Sequence, residues 1–393
     1  MKEKVRALAS RIFDETVARR RHLHQHPELS FEEYKTSAFV KTVLDELGIP
    51  YREMANTGVV GEIKGDLPSD ELIALRADMD ALPIVEVDGR EYGSQNPGVM
   101  HACGHDVHTS SLLGTAKILQ SLKAEFGGTV RLIFQPGEEK LPGGASLMIR
   151  DGVLTNPAPE AIIGQHVMPL IEVGKVGFRS GKYMASTDEL YVTVKGKGGH
   201  GAQPQQNIDP IVITAHIITA LQQIVSRVAD PKIPSVLSFG KVIANGATNV
   251  IPNEVYLEGT FRTFDEQWRK TAHERMKKMA QGIAESMGAT CDFEVRNGYP
   301  FLINEEKLTA QARSYAEDYL GAENVVDLDL WLAAEDFAYY SQVTDACFYR
   351  LGTANTEKGI TSAVHTPTFD IDEQALALST GLMAYIALRK LGN

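Results

Sequence analysis

The chain has 393 residues, a length that indicates two domains or one domain with a large insertion. Its composition, 43% hydrophobic and 23% charged, is that of a globular protein. Its 39 basic and 51 acidic residues sum to a net charge of −12, which argues against nucleic acid and anionic membranes as partners. Three cysteines are too few for a disulfide framework, and no apolar run approaches the roughly 20 residues that span a bilayer, so we expect a cytoplasmic protein.

Short apolar runs alternate with helical patterns over the first 180 residues. The predicted strands cover residues 59–63, 72–76, 129–134, 161–166 and 173–178, and the predicted helices cover residues 4–22, 32–47, 109–122 and 144–150. Because strands that alternate with helices form layered α/β structures, we predict a mostly parallel sheet flanked by helices.

The pattern changes near residue 183. A strand (189–195), a helix (208–227), two strands (235–242 and 254–263), a helix (265–287) and a strand (290–297) follow in that order. This β-α-β-β-α-β order is typical of a ferredoxin-like α+β unit. The chain then returns to a helix (305–320), a strand (346–351) and a helix (373–390). We therefore predict an α/β domain of residues 1–182 and 299–393, interrupted by an inserted domain of residues 183–298.

The segment 100–108 reads MHACGHDVH and concentrates metal-ligand chemistry. It holds one of the three cysteines and three of the eleven histidines. Thiolate and imidazole suit a borderline-soft divalent metal ion, and a turn through Gly104 would aim Cys103 and His105 at one centre. A buried thiol beside hydrogen-bonded histidines is the structural alternative, but the density of ligand types favours a metal site.

Further candidate ligands lie at strand ends, where the active sites of open α/β sheets are found. The strand at 129–134 runs into a Pro-Gly turn that carries Glu138 and Glu139. Because adjacent side chains diverge, one carboxylate could bind a metal ion while the other acts as a general base. His166 ends another strand, and His365 precedes a turn near the C-terminus. Each signal alone is more typical of a solvated acidic turn or of a hydrogen-bonded core or surface histidine, and only together do they complete a ligand set.

Asp78 and Asp80 share one face if the segment 75–83 is extended. Acids so placed often orient metal-binding histidines, although ordinary turn formation before Pro83 explains them equally well.

The segment 196–201, GKGGHG, formally matches the dinucleotide-binding pattern GxGxxG. No acidic residue near position 221 could bind a ribose, and Pro204 delays the next helix, so we interpret the glycines as a flexible turn that presents His200.

At this point the sequence resembles the M20 metallopeptidase and amidohydrolase superfamily, in the branch of aminoacylases, hippurate hydrolases and auxin-conjugate hydrolases. The resemblance spans almost the whole chain. Its motifs are HQHPELSFEE (24–33), RADMDALP (76–83), MHACGHDVH (100–108), GEE (137–139), GQHV (164–167), GKGGHGAQP (196–204), TNVIPNEVYLEGTFR (248–262), AAEDFAYY (333–340) and HTPTFD (365–370).

The resemblance implies two divalent metal ions per subunit, for which zinc, manganese, cobalt and nickel are all compatible. It implies the following ligands: Cys103 bridging both ions, His105 and His166 completing one site, and Glu139 and His365 completing the other. Glu138 matches the catalytic glutamate, and Asp80 matches an acid that orients a histidine ligand.

The inserted domain matches the family's lid, which often forms the dimer interface, so a homodimer or homotetramer is expected. In the lid, His200 matches a residue that contacts the substrate carbonyl. Asn249 and Arg262 match residues that hold the substrate, with Arg262 as a partner for its carboxylate.

The implied activity is hydrolysis of N-acyl-L-amino acids to a carboxylic acid and a free amino acid. The alternatives within the superfamily are an N-acetyl-diaminopimelate deacetylase and a dipeptidase or carboxypeptidase. Two departures from the family pattern, Pro204-Gln205 and the segment KLPGG at 140–144, leave the acyl preference open. A non-catalytic metal module is disfavoured by the presence of Glu138, and a nucleotide-dependent oxidoreductase rests on the GxGxxG match alone.

Overall fold

The computed structural model describes residues 1–87 and 89–392, which form two compact units. The first comprises Met1–Tyr183, Ile303–Asp329 and the described part of Asp336–Asn393, and the second comprises Met184–Leu302 and Leu330–Glu335. The sequence-based division gave residues 330–335 to the first domain. They group with the second unit because the Trp331 carbonyl accepts a hydrogen bond from the Ala185 amide at 3.1 Å.

The elements follow in chain order. The strands are β1 (Tyr51–Met54), β2 (Gly58–Lys64), β3 (Leu67–Asp78), β4 (Gly127–Gln135), β5 (Ala161–Glu172), β6 (Val176–Phe178), β7 (Gly181–Met184), β8 (Asp188–Lys195), β9 (Gly199–His200), β10 (Ser235–Ile243), β11 (Val250–Ile251), β12 (Glu254–Thr263), β13 (Thr290–Asn297), β14 (Leu302–Asn304), β15 (Val325–Asp327) and β16 (Ala346–Ala354). The helices are α1 (Lys2–Arg11), α2 (Phe13–Gln25), α3 (Tyr34–Glu46), α4 (His105–Ser121), α5 (Gly144–Arg150), α6 (Pro210–Gln223), α7 (Glu266–Ser286), α8 (Glu306–Leu320), α9 (Ala338–Ser341) and α10 (Ala375–Lys390).

The first unit is built on an eight-stranded sheet in the order β1-β2-β4-β3-β5-β16-β6-β15. The pairs β3–β4, β3–β5, β5–β16 and β6–β15 are parallel. The central strand β16 is buried at every position, as expected where helices cover both faces of a sheet. The predicted fold class, a mostly parallel sheet flanked by helices, is confirmed.

The second unit has a four-stranded antiparallel sheet in the order β10-β12-β8-β13. The chain order β8-α6-β10-β12-α7-β13 is that of the predicted ferredoxin-like unit, which is confirmed. Alternate residues of β8, such as Leu190 and Val192, are buried with the apolar faces of α6 and α7. The side chains of Asp209 and Asp265 cap the two helices by accepting backbone N–H groups of the first turn.

A π-helical turn, Ile224–Val228, extends α6. Together they form a 19-residue helix with a mean hydropathy of 1.4, which by length and composition alone could cross a membrane. Core helices of soluble proteins meet the same criterion.

Three differences separate the predicted elements from the observed ones. The helix predicted over 4–22 is divided at Ile12, where the backbone (φ −94°, ψ 7°) departs from helical values between α1 and α2. Helix α4 begins at His105 and not at residue 109, so that both His105 and His108 are helical. Short strands such as β1 and β15 were not predicted, because three or four residues carry little periodic signal.

The parallel strands β3, β4 and β5 are neighbours, so their carboxyl ends lie at the same edge of the sheet. Asp78 ends β3, Gln135 ends β4, and His166 is the sixth of the twelve residues of β5. The predicted ligands therefore come from separate chain segments that meet at one edge.

Candidate metal centre

Among the described residues, two of the groups of potential metal ligands share Cys103. One consists of Cys103, His105 and His166, all buried, and the other of Cys103, Glu139 and His365. Within each group the potential ligand atoms lie within 4.8 Å of one another. The Cys103 Sγ lies 3.4 Å from the His166 Nε2 and 3.3 Å from the His365 Nε2. One thiol thus stands between the two histidines.

The turn before α4 brings Cys103 and His105 together. Gly104 adopts the left-handed conformation, with φ +84°, which glycine tolerates and other residues rarely adopt. A Cβ atom at this position would lie 2.6 Å from the Val167 Cγ2. The position therefore requires glycine both for its backbone angle and for its close contact with β5.

His365 reaches Cys103 through a strained backbone. Its φ of +63° is unusual for a non-glycine residue. Its amide donates to the carbonyl of Ala102, next to Cys103, at 2.7 Å, and its Nε2 lies 3.1 Å from the Glu139 Oε1. The His365 side chain is 51% exposed, whereas His105 is fully buried. The centre is therefore buried on the His105 side and open on the His365 side.

Asp80 links His105 to the glutamate pair. Its Oδ1 accepts the Glu138 amide and its Oδ2 the Glu139 amide, each at 3.0 Å. The Nδ1 of His105 lies 2.9 Å from the Asp80 carbonyl oxygen and 3.2 Å from its Oδ1. Because both oxygens only accept, Nδ1 carries a proton, and the His105 Nε2 is the ring nitrogen that a metal ion would take in place of a proton. Among the described residues, this buried Nε2 has no hydrogen-bond partner.

The charges of the centre fit a cation. Burial and the carboxylates of Glu139 and Glu138 raise the pKa of the Cys103 thiol well above its usual value. Burial opposes the protonation of His105, but the carboxylates of Asp78 and Asp80 outweigh it and raise the His105 pKa to about 10. Burial lowers the pKa of His166 well below its usual value, which keeps its imidazole neutral. The carboxylates, the Cys103 thiol and the His105 Nε2, which has no hydrogen-bond partner among the described residues, together form a donor set suited to divalent ions.

A buried ion-pair network supports the strand ends. Arg76 donates to Asp78 at 2.6 Å, to Gln135 at 2.9 Å and to Asp336 at 2.8 Å. The Ala145 amide also donates to Asp336, at 2.9 Å. The network joins β3 to the end of β4, from which the glutamate turn starts.

Glu33 was not predicted to support the site, although it lies in the motif at 24–33. Its Oε1 accepts the amides of Phe31 and Gly137, both at 2.8 Å, and its Oε2 accepts the Thr57 hydroxyl at 2.6 Å. Burial and the nearby charge of Asp80 raise the pKa of Glu33 to about 7. Glu33 and Asp80 thus hold three consecutive amides of the glutamate turn. The only sequence signal was the position of Glu33 in the motif at 24–33.

The other three predicted residues lie in the second unit. His200 lies in β9, which pairs with β11, and the amide of the following residue, Gly201, donates to the Asn249 carbonyl at 2.8 Å. Both side chains are exposed. Arg262, in β12, is half-buried, and its Nη1 lies 3.5 Å from the Leu332 carbonyl oxygen. The structure thus places His200 beside Asn249 within this unit.

Comparison with known proteins identifies relatives along the whole chain. The sequence profile of peptidase family M20/M25/M40 matches residues 74–389. An N-acyl-L-amino acid amidohydrolase from Geobacillus stearothermophilus is 45% identical over 307 residues, covering 78% of this chain and 82% of that protein. An N-acetylcysteine deacetylase from Bacillus subtilis is 40% identical over 373 residues, covering 94% and 95%. The crystal structure of Bacillus subtilis YXEP, a dinuclear metal binding peptidase from the M20 family, superimposes with a TM-score of 0.84 at 37% identity, covering 98% and 99%.

Proposed function

The chain belongs to peptidase family M20/M25/M40, as its motifs predicted, and is an amidohydrolase of that family; we propose that it cleaves N-acyl-L-amino acids to a carboxylic acid and a free amino acid. The observation that carries this proposal is the meeting of two potential ligand groups at Cys103, with Glu138 directly beside them. The similarity to an N-acyl-L-amino acid amidohydrolase supports the substrate class.

We assign two divalent ions per subunit to these donors. Cys103 would bridge them, with His105 and His166 holding one ion, and Glu139 and His365 the other. When bound, such ions lower the pKa of water and polarise the carbonyl of an amide. The donors do not distinguish between zinc, manganese, cobalt and nickel.

Glu138 is the proposed general base and acid. Its side chain is 5% exposed, and its backbone is fixed by the bond from its amide to Asp80. In this role it takes a proton from the attacking water and delivers it to the amide nitrogen as the C–N bond breaks. The adjacent Glu139 points to the other ligand group, with its Oε1 3.1 Å from the His365 Nε2. The two carboxylates thus have separate tasks.

Substrate recognition is assigned to the second unit. His200 would donate to the substrate carbonyl oxygen, and Asn249 and Arg262 would hold the substrate. The guanidinium of Arg262 has donors available for a carboxylate, since its described hydrogen bond is long at 3.5 Å.

We also propose a homodimer or homotetramer formed through the second unit. Its edge strand β10 ends in two exposed apolar residues, Val242 (52% exposed) and Ile243 (38% exposed). Ile211 and Val212 are exposed on α6 of the same unit. Exposed apolar side chains on a sheet edge and a helix are typical of an association surface.

A second candidate activity is deacetylation of small N-acetyl amino acids, which the similarity to an N-acetylcysteine deacetylase favours. It differs from the first only in the size of the acyl group. N-acetyl-diaminopimelate and dipeptides complete the set of substrates to be separated by experiment.

A hydrolysis screen tests these proposals. Purified protein is incubated with zinc, manganese or cobalt and with N-acetyl, N-benzoyl and N-indoleacetyl amino acids, N-acetyl-diaminopimelate and dipeptides, and the released amine is quantified. We expect metal-dependent release that disappears in Glu138→Gln while metal content is retained. Release by Glu138→Gln at the wild-type rate would refute the role of this residue, and no release from any N-acyl amino acid would refute the proposed substrate class.

A further inference from the structure

A second buried histidine of α4, His108, lies beside the proposed ligands. It forms a potential ligand group with Asp78 and His105, but it belongs to neither of the groups that contain Cys103. Its Nδ1 lies 2.6 Å from the Asp78 Oδ1, and its Nε2 lies 2.9 Å from the Val167 amide nitrogen. A backbone N–H can only donate, so the Nε2 of His108 accepts and is unprotonated. The proton therefore sits on Nδ1, which donates to Asp78. Both ring nitrogens are engaged, and neither is available to a metal ion.

The Val167 backbone in turn orients a proposed ligand. The Val167 carbonyl accepts a hydrogen bond from the Nδ1 of His166 at 2.8 Å. That bond places the proton of His166 on Nδ1 and leaves Nε2 unprotonated, 3.4 Å from the Cys103 Sγ. The Val167 side chain also packs against Gly104, between Cys103 and His105. A displacement of Val167 would therefore disturb the ligand group of Cys103, His105 and His166.

Asp78 is a firm anchor for this arrangement. It is fully buried, and its Oδ2 accepts from Arg76 at 2.6 Å while its Oδ1 faces His108. The Thr109 hydroxyl donates to the Asp78 carbonyl at 2.7 Å, which ties the same residue of β3 to α4. Burial lowers the pKa of His108, although the carboxylate of Asp78 opposes this.

We propose that His108 is a positioning residue: Asp78 fixes its tautomer, and its Nε2 then holds the Val167 amide and so presents the His166 Nε2 to one of two metal ions. This inference rests on the dinuclear centre of the proposed function. It predicts that loss of the bond from Val167 to His108 lowers the affinity for one of the two ions by about 10- to 100-fold, as is typical when a supporting group of a metal ligand is removed. The other ion stays tightly bound.

Two amide variants separate the bonds of His108. The amide group of an asparagine overlays the Nδ1 of a histidine and can reach Asp78, but it is too short to reach the Val167 amide. The amide group of a glutamine overlays Nε2, and its oxygen can accept from Val167. Both variants place one neutral polar group in the same buried site, so each serves as the matched control for the other.

The experiment is a titration of metal-free protein with zinc in competition with a chromophoric chelator. We expect two tight equivalents for the wild type and for His108→Gln, and one tight plus one weakened equivalent for His108→Asn. If His108→Asn binds both zinc equivalents as tightly as the wild type, the inference is overturned. It is also overturned if His108→Asn and His108→Gln lose the same zinc affinity. A wild type that binds fewer than two ions would instead overturn the dinuclear centre, and this inference with it.

His101→Asn controls for general loss of stability. His101 is also buried in the segment 100–108, but neither ring nitrogen has a hydrogen-bond partner among the described residues. We expect this variant to unfold at a lower temperature without selective loss of one equivalent. A selective loss equal to that of His108→Asn would show that the effect is not specific to the bond with Val167.

A measurement on the wild type keeps the inference testable if His108→Asn does not fold. The nitrogen chemical shifts of a labelled imidazole distinguish its two neutral tautomers and its protonated form. We expect the Nδ1–H tautomer for His108 in the metal-free protein. An Nε2–H tautomer or a protonated ring would overturn the inference, because neither can accept from the Val167 amide.

Discussion

Glu33 should make the stability of the metal-free protein depend on pH in a defined direction. Its carboxyl is fully buried, and its pKa is raised from 4.5 to about 7 by burial and by the charge of Asp80. In the unfolded chain the same group ionises near its usual value. The folded protein therefore binds one more proton than the unfolded chain between pH 4.5 and pH 7, and the free energy of unfolding falls as pH rises through that interval.

The magnitude follows from the two pKa values. A shift from 4.5 to about 7 corresponds to about 3 kcal/mol at about 1.4 kcal/mol per pKa unit. This contribution of Glu33 to the free energy of unfolding is fully present below pH 4.5 and is lost once the pH exceeds about 7. Above that pH the ionised carboxylate still accepts from Phe31, Gly137 and Thr57, so the turn remains held.

The variant that isolates this effect is Glu33→Gln. A glutamine oxygen can accept from the Phe31 and Gly137 amides, and its NH2 group can donate to the Thr57 hydroxyl, as a protonated glutamate would. Urea unfolding at pH 4.5, 6 and 8 should show the variant gaining about 3 kcal/mol relative to the wild type across this range. Glu32→Gln, which removes the exposed neighbouring carboxyl, is the matched control for the loss of one charge. A difference between Glu33→Gln and wild type that stays constant from pH 4.5 to 8 would refute the reasoning.

Three further predictions concern the centre and the substrate. Gly104→Ala should lower the free energy of unfolding by about 2–4 kcal/mol, because alanine disfavours the left-handed backbone and its Cβ would lie 2.6 Å from Val167. A urea midpoint equal to that of the wild type would contradict this. Asp80→Asn should weaken metal binding by about 10- to 100-fold, since an amide cannot accept from both glutamate amides and from the His105 Nδ1; unchanged affinity in a chelator competition would exclude a supporting role. Arg262→Ala should raise KM about 10- to 100-fold for substrates with a free carboxylate, and an equal rise for the corresponding substrate amides would exclude a carboxylate partner.

The fold was predictable because its signals are local. Alternating apolar patterns placed the strands that became β4, β8 and β12 within two residues of their observed ends. The order of helices and strands then indicated both the parallel sheet and the ferredoxin-like insertion. The exceptions were short strands, the start of α4 four residues before the predicted one, and the division of the first helix at Ile12, where the local pattern changes little.

The candidate ligands were also visible in the sequence, because cysteine, histidine and paired glutamates at strand ends are distinctive by residue type alone. Their supporting residues were not. The carboxyl of Glu33 meets an amide 104 positions away at Gly137, and His108 meets an amide 59 positions away at Val167. Glutamate and histidine have many uses in a sequence, and nothing in the local pattern indicates which distant backbone group they will bind.

The sequence by itself thus determined the elements, their layered order and the types of donor atom that the chain offers. The tertiary structure decided which donors share a centre, which nitrogen of His105 and of His108 carries a proton, and which carboxyl groups are buried. The physical reason is that periodicity and ligand chemistry are properties of neighbouring residues, whereas tautomers and shifted pKa values depend on hydrogen bonds and burial created when distant segments pack together.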